Sequence, residues 1–183
     1  GSGPLTARAG FADAGDVHIK ARAAADLLGA TPMDRPEDVE VHPHTGRVYV
    51  AFTKNPHRAV AARRLDFNGR PFDAGVDAAN PRGANEFGHI LEIEELGGDA
   101  AATRFRWHVF LLAGDPTAPD ARFLSEASRL RPGELAARDT YFAGAAAAAA
   151  LAPIACPDNL GFDPAGHLWI VTDGAQPRGD NNG

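Results

Sequence analysis

The sequence predicts an all-β fold made of four-stranded antiparallel meanders, the unit of a β-propeller blade, with one whole blade and the start of another. Three observations lead there. A strand–turn–strand pattern beginning at Pro36 returns at Pro157. Two further segments with strand-like alternation lie between the copies. At 183 residues and 44% hydrophobic content, the chain has enough apolar material for one sizeable core. The same strands leave an all-β sandwich with a chance internal similarity as the alternative.

Taken in order, Gly1–Pro4 reads as a cloning remnant or a cut site, and no signal peptide is visible. Ala21–Leu28 is Ala-rich and predicts a helix closed by Gly29. The first copy runs Pro36-Glu37-Asp38-Val39-Glu40-Val41-His42-Pro43, turns at Gly46, and continues Arg47-Val48-Tyr49-Val50-Ala51-Phe52-Thr53. The second runs Pro157-Asp158-Asn159-Leu160-Gly161-Phe162-Asp163-Pro164, turns at Gly166, and continues His167-Leu168-Trp169-Ile170-Val171-Thr172-Asp173. Both glycines supply the positive φ that such hairpins require. Gly88–Glu94 and Thr103–Leu112 add a third and a fourth strand. A blade therefore spans about residues 36–114, with a long Gly/Pro/Asn/Asp-rich loop over 66–86. An insertion follows over 115–155, with helix expected at Ser125–Leu130 and Pro132–Tyr141 and an Ala145–Ala150 run that is either helix or linker. The next blade starts at 156 and is incomplete at 183. Propellers close with at least about four blades, so the reading is a single partial propeller, a fragment of something larger or a chain that self-associates.

Composition removes several functions. A net charge of −6, with arginines scattered rather than striped, argues against a nucleic-acid partner. No run of about 18 apolar residues exists to span a membrane. One cysteine, Cys156, excludes an internal disulfide framework. There is no HExxH, no GxSxG and no Walker A pattern.

The repeat itself carries a functional implication. First strands of propeller blades line the central channel, so equivalent residues of different blades converge on the axis. Glu37 and Asp158 are such a pair, each directly after a proline. Two carboxylates at one mouth repel unless a cation lies between them. Hard oxygen donors suit Ca2+, with Asn159, carbonyls and water completing its shell. The alternative is a pair of solvent-facing strand-entry residues. Arg35 lies two residues before Glu37 and suits a bidentate grip on phosphate, its plainer alternative being a surface ion pair with Asp34 or Asp38. Arg82 is a second candidate on the long loop. His89 reads as a structural hydrogen-bonding residue and Cys156 as a buried, inert thiol.

The strings Gly29-Ala30-Thr31-Pro32-Met33-Asp34-Arg35-Pro36-Glu37, Asn80-Pro81-Arg82, Gly88-His89-Ile90, Phe110-Leu111-Leu112-Ala113-Gly114-Asp115-Pro116 and Pro157-Asp158-Asn159-Leu160 resemble the PhoX family of bacterial alkaline phosphatases. The resemblance runs over nearly all the chain except its ends and the Ala-rich insertion. It implies a six-bladed propeller exported to the periplasm or cell surface, and hydrolysis of small-molecule phosphate esters by a cluster of Ca2+ and Fe3+. By similarity Arg35 holds the substrate phosphate and Glu37 and Asp158 are metal ligands. The family's iron-binding cysteine belongs to blades not represented here, so that role does not pass to Cys156, and little turnover is expected from this chain alone. A calcium-binding propeller without catalysis and a lactonase-like calcium hydrolase are the competing functions.

Overall fold

Alternating side chains and turn glycines produce two hairpins with the same register. In the first, β1 (Pro36–Val41) pairs antiparallel with β2 (Val48–Phe52). Gly46 takes the turn at φ 69°. Gly166, at φ 90°, turns the second hairpin, formed by its own two strands, Pro157–Phe162 and Leu168–Thr172. Val39 faces Val50 in the first hairpin as Leu160 faces Ile170 in the second, and Pro36 faces Phe52 as Pro157 faces Thr172. Each ladder slips by one residue in the same place, immediately after the proline, so the internal repeat reaches down to a shared bulge.

The structure is a computed structural model that describes residues 3–60, 64–65, 71–72 and 74–174. The expectations for Gly1–Ser2, for part of the 66–86 loop and for the tail from 175 fall outside these residues. The chain divides into two compact units, residues 1–32 with 61–74, and residues 33–60 with 75–183. In the first unit Asp13 caps α1 (Ala14–Ile19), and α2 (Ala21–Leu28) ends on Gly29 in the left-handed region, as expected. Phe11, Ala23 and Ala24 form its small core, with Leu5, Val17 and Leu27 packed around them. Two short strands, β3 (Arg64–Leu65) and β4 (Pro71–Phe72), pair in this unit.

The second unit is mostly β. β5 (His89–Glu95) pairs with β2, and β6 (Phe105–Leu112) pairs with β5, giving the expected four-stranded meander β1-β2-β5-β6. β7 (Phe123–Leu124) and β8 (Thr140–Phe142) extend it to a six-stranded sheet in the order β1-β2-β5-β6-β8-β7. The strands of the second hairpin, β9 (Pro157–Phe162) and β10 (Leu168–Thr172), form a separate two-stranded sheet. On one side of the six-stranded sheet Tyr49, Ala51, Ile90, Leu111, Ala113 and Leu160 are buried together. Phe52, Leu91, Val109, Leu112, Leu124 and Tyr141 form a second cluster.

The insertion departs from expectation. Where helices were predicted over 125–130 and 132–141, the chain makes only a 3₁₀ turn, Ala127–Arg129, and then strand β8. Pro132 and Gly133 open the second segment, and the Asp139 carboxylate accepts the Ala136 amide at 2.8 Å, a local side-chain bond that replaces helical pairing. The Ala145–Ala150 run holds a 3₁₀ turn at Ala148–Ala150 and leads to Ile154, which bridges to Gly114.

Candidate functional site

The two hairpins begin on equivalent, unusual residues. Arg35 (φ 54°) and Cys156 (φ 53°) both occupy the left-handed region, and both precede a proline. That conformation costs an L-residue about 1–2 kcal/mol, and a following proline restricts the backbone further. Each carbonyl is caught by the residue after the second strand: Thr53 N–H donates to Arg35 O at 3.1 Å, and Asp173 N–H donates to Cys156 O at 2.9 Å. The strain is thus held by the same hydrogen bond twice.

This geometry places Arg35, Glu37, Thr53, Asp158 and Asp173 at corresponding ends of adjacent hairpins. Arg35 Nη2 donates to Glu37 Oε1 at 2.9 Å and lies 3.8 Å from Asp173 Oδ2. The Arg35 side chain is half exposed. Thr53, fully buried, donates through Oγ1 to Asp158 Oδ1 at 3.5 Å. Each of the two predicted carboxylates therefore has its own partner, and β1 and β9 are further joined by Leu160 N–H donating to Asp38 Oδ2 at 2.7 Å. Lys54 Nζ and Cys156 Sγ flank Gly174 on the same side. Burial pushes the Cys156 thiol pKa up, with Asp173 and Asp158 acting the same way and Lys54 and Arg35 against it, so the thiol is protonated at neutral pH.

Asp34 and Asp38 are not Arg35's ion-pair partners: Asp38 serves the seam with β9, and Asp34 turns inward. Arg82 is fully enclosed. Its five N–H groups go to Asn85 Oδ1 (twice), Ala113 O, Asp139 O and Gly88 O, at 2.6–3.1 Å. In this arrangement it has no donor to offer a ligand and ties the loop before β5 to β6 and to the insertion. Burial lowers its pKa to about 9, which leaves it cationic at neutral pH. His89 is also fully buried, stacked on Phe52, and burial holds its pKa at about 3, so it is the neutral structural histidine expected.

Thr53 and Asp173 end the two copies at equivalent positions and Lys54 follows Thr53, but none was singled out, because a residue at a strand end gives no local signal of which side chain of the other hairpin it will meet. Among the described residues no three of His, Cys, Asp and Glu gather to hold a metal ion. Glu37 and Asp158 are hard oxygen donors of the kind Ca2+ takes, and the described residues complete a ligand set for neither Ca2+ nor Fe3+. A cavity of about 400 Å³ beside Arg122, Arg129 and Arg131 is also lined by Glu126 and Glu134, and Asp139 pairs with Arg122.

This mostly β unit thus gathers one guanidinium, one ammonium and three carboxylates at the ends of its strands. The sequence model of the alkaline phosphatase PhoX family matches residues 3–182, and the chain belongs to that family. Among solved structures it is similar to Pseudomonas fluorescens PhoX in complex with vanadate, a transition state analogue, at 32% identity and a TM-score of 0.61. The match covers 96% of this chain and 25% of that one, so the chain spans about a quarter of its solved relative. No curated protein matches.

Proposed function

We propose that this chain carries part of the catalytic mouth of a metal-dependent phosphatase acting on phosphomonoesters, with Arg35 holding the substrate phosphate and Glu37 and Asp158 as ligands to Ca2+. The observation that carries the reading is the paired geometry of two hairpin ends, which sets one guanidinium among carboxylates in matching register. The matched hairpins also favour successive blades of a β-propeller, about 36–114 and from 156 onward, separated by the insertion 115–155.

In this reading Glu37 preorients Arg35 before substrate arrives, through their 2.9 Å ion pair. An entering phosphate monoester receives two parallel N–H bonds from the guanidinium. Lys54 adds positive potential, and Asp173 restrains Arg35 from the far side. Bound Ca2+ would neutralise phosphoryl oxygens and the developing charge. Fe3+ enters through the family resemblance alone, with ligands outside this chain. Arg82 supports the loop that precedes β5 rather than the substrate. An exported enzyme of the periplasm or cell surface, cleaving small phosphate esters, suits this chemistry.

The test is hydrolysis of an aryl phosphate by the full-length protein with Ca2+, then after chelation. Arg35→Ala should lower kcat/KM by roughly a hundredfold or more, and Glu37→Ala or Asp158→Ala should weaken Ca2+ binding. Retained Ca2+ binding with no turnover in the unaltered protein would return the non-catalytic calcium-binding module.

A further inference from the structure

We infer that Asp34, with its buried partner Arg58, is a positioning residue that sets the conformation of Arg35; the inference rests on the phosphatase reading above. Asp34 is completely buried and Arg58 is 1% exposed. Asp34 Oδ1 accepts from Arg58 Nε at 2.5 Å and from Asn55 Nδ2 at 2.9 Å, and Oδ2 accepts from Asn85 Nδ2 at 2.9 Å. The next residue in sequence is the strained Arg35.

The network grips both sides of that strain. Arg35 N–H donates to Met33 O at 3.2 Å, closing a tight turn with Asp34 at its apex, and Met33 packs against the apolar cluster around Phe52 and Tyr141. Downstream, Arg35 O is held by Thr53 N–H at 3.1 Å. Asn55, two residues beyond Thr53, is the residue that also binds Asp34, and its own N–H donates to Asn85 O at 2.6 Å. Asn85 in turn receives Arg82 and the Gly88 N–H. The apex of the turn, the strand end that catches Arg35 and the loop before β5 are thus linked through one carboxylate. A buried ion pair is weak evidence for stability, and its best-attested use is fixing one geometry among several. Here the geometry fixed is a left-handed residue that aims a guanidinium past a proline at Glu37.

The test uses the metal-loaded full-length protein, with inorganic phosphate affinity measured by calorimetry beside kcat and KM. Asp34→Asn should weaken phosphate binding on the order of tenfold or more with metal content unchanged, as expected when a binding group is misplaced by a remote change. In an Arg35→Ala background the same substitution should leave phosphate affinity unchanged, because the residue acts only through Arg35. Asn55→Ala, which removes one of the three bonds to the carboxylate, serves if Asp34→Asn fails to fold and should show the same background dependence. An equal loss in both backgrounds, or no loss in the unaltered background, overturns the positioning role while leaving the phosphatase reading intact. If Arg35→Ala itself leaves phosphate affinity unchanged, both readings fall together.

Discussion

Arg35 and Cys156 share a backbone conformation that costs energy, yet they spend it differently. Arg35 is half exposed and faces charge, whereas Cys156 is 3% exposed with its thiol pKa raised. Cys156 should therefore resist alkylation at pH 8 in the folded protein and react promptly once unfolded, as a mass-spectrometric time course would show. His89 gives a second residue-scale expectation. Its pKa falls from 6.5 to about 3 in the fold, so the unfolded chain binds the extra proton across that interval. The stability linked to it is complete above pH 6.5 and is lost as pH falls from 6.5 toward 3, by up to about 1.4 kcal/mol per pH unit. An NMR titration should show the His89 ring unprotonated at pH 5, where a free imidazole has already gained a proton. His89 was read from the sequence as a structural hydrogen-bonding residue, whereas Arg82 was taken for a ligand-binding candidate and Asp34 for a surface ion-pair partner, and both are buried. Their burial depends on contacts between segments far apart in the chain, which no local pattern encodes.

At the scale of elements, the hairpins were legible because each needs only alternating side chains and a glycine at the turn. Helix prediction failed over 132–141 because the Asp139 carboxylate takes the Ala136 amide and Tyr141 and Phe142 find a ladder on β6. Gly88 is the tightest junction among these elements. At φ 79°, a Cβ there would stand 2.2 Å from Thr53 O and 2.4 Å from Phe52 O. Gly88→Ala should destabilise the fold by about 4 kcal/mol, the upper range for single substitutions, as read by urea unfolding. Because Gly88 O also accepts Arg82, the same change should loosen the loop that carries Asn85.

For the molecule as a whole, the telling feature is apolar surface on strands. Val39 and Val41 of β1 are 58% and 54% exposed, and Trp169 and Val171 of β10 are 66% and 52% exposed. Among the described residues β10 pairs only with β9, leaving its other edge open. Open apolar edges invite pairing with another chain. The isolated chain should self-associate at micromolar concentration in sedimentation experiments, and Val171→Lys should restore a monomer. The meander β1-β2-β5-β6 was readable from sequence, because each of its strands pairs with the next long strand along the chain.

The bond from Leu160 N–H to Asp38 Oδ2 gives the seam between the two hairpins a spectroscopic handle. A side-chain carboxylate stands there in place of a neighbouring strand's carbonyl. The Leu160 amide is protected from deuterium only while β1 and β9 stay together, so its exchange rate reports seam opening separately from global unfolding. Replacing Asp38 by alanine should raise that one rate while the amides in the middle of β5 keep theirs, which would turn a single backbone proton into a clock for the parting of the two hairpins.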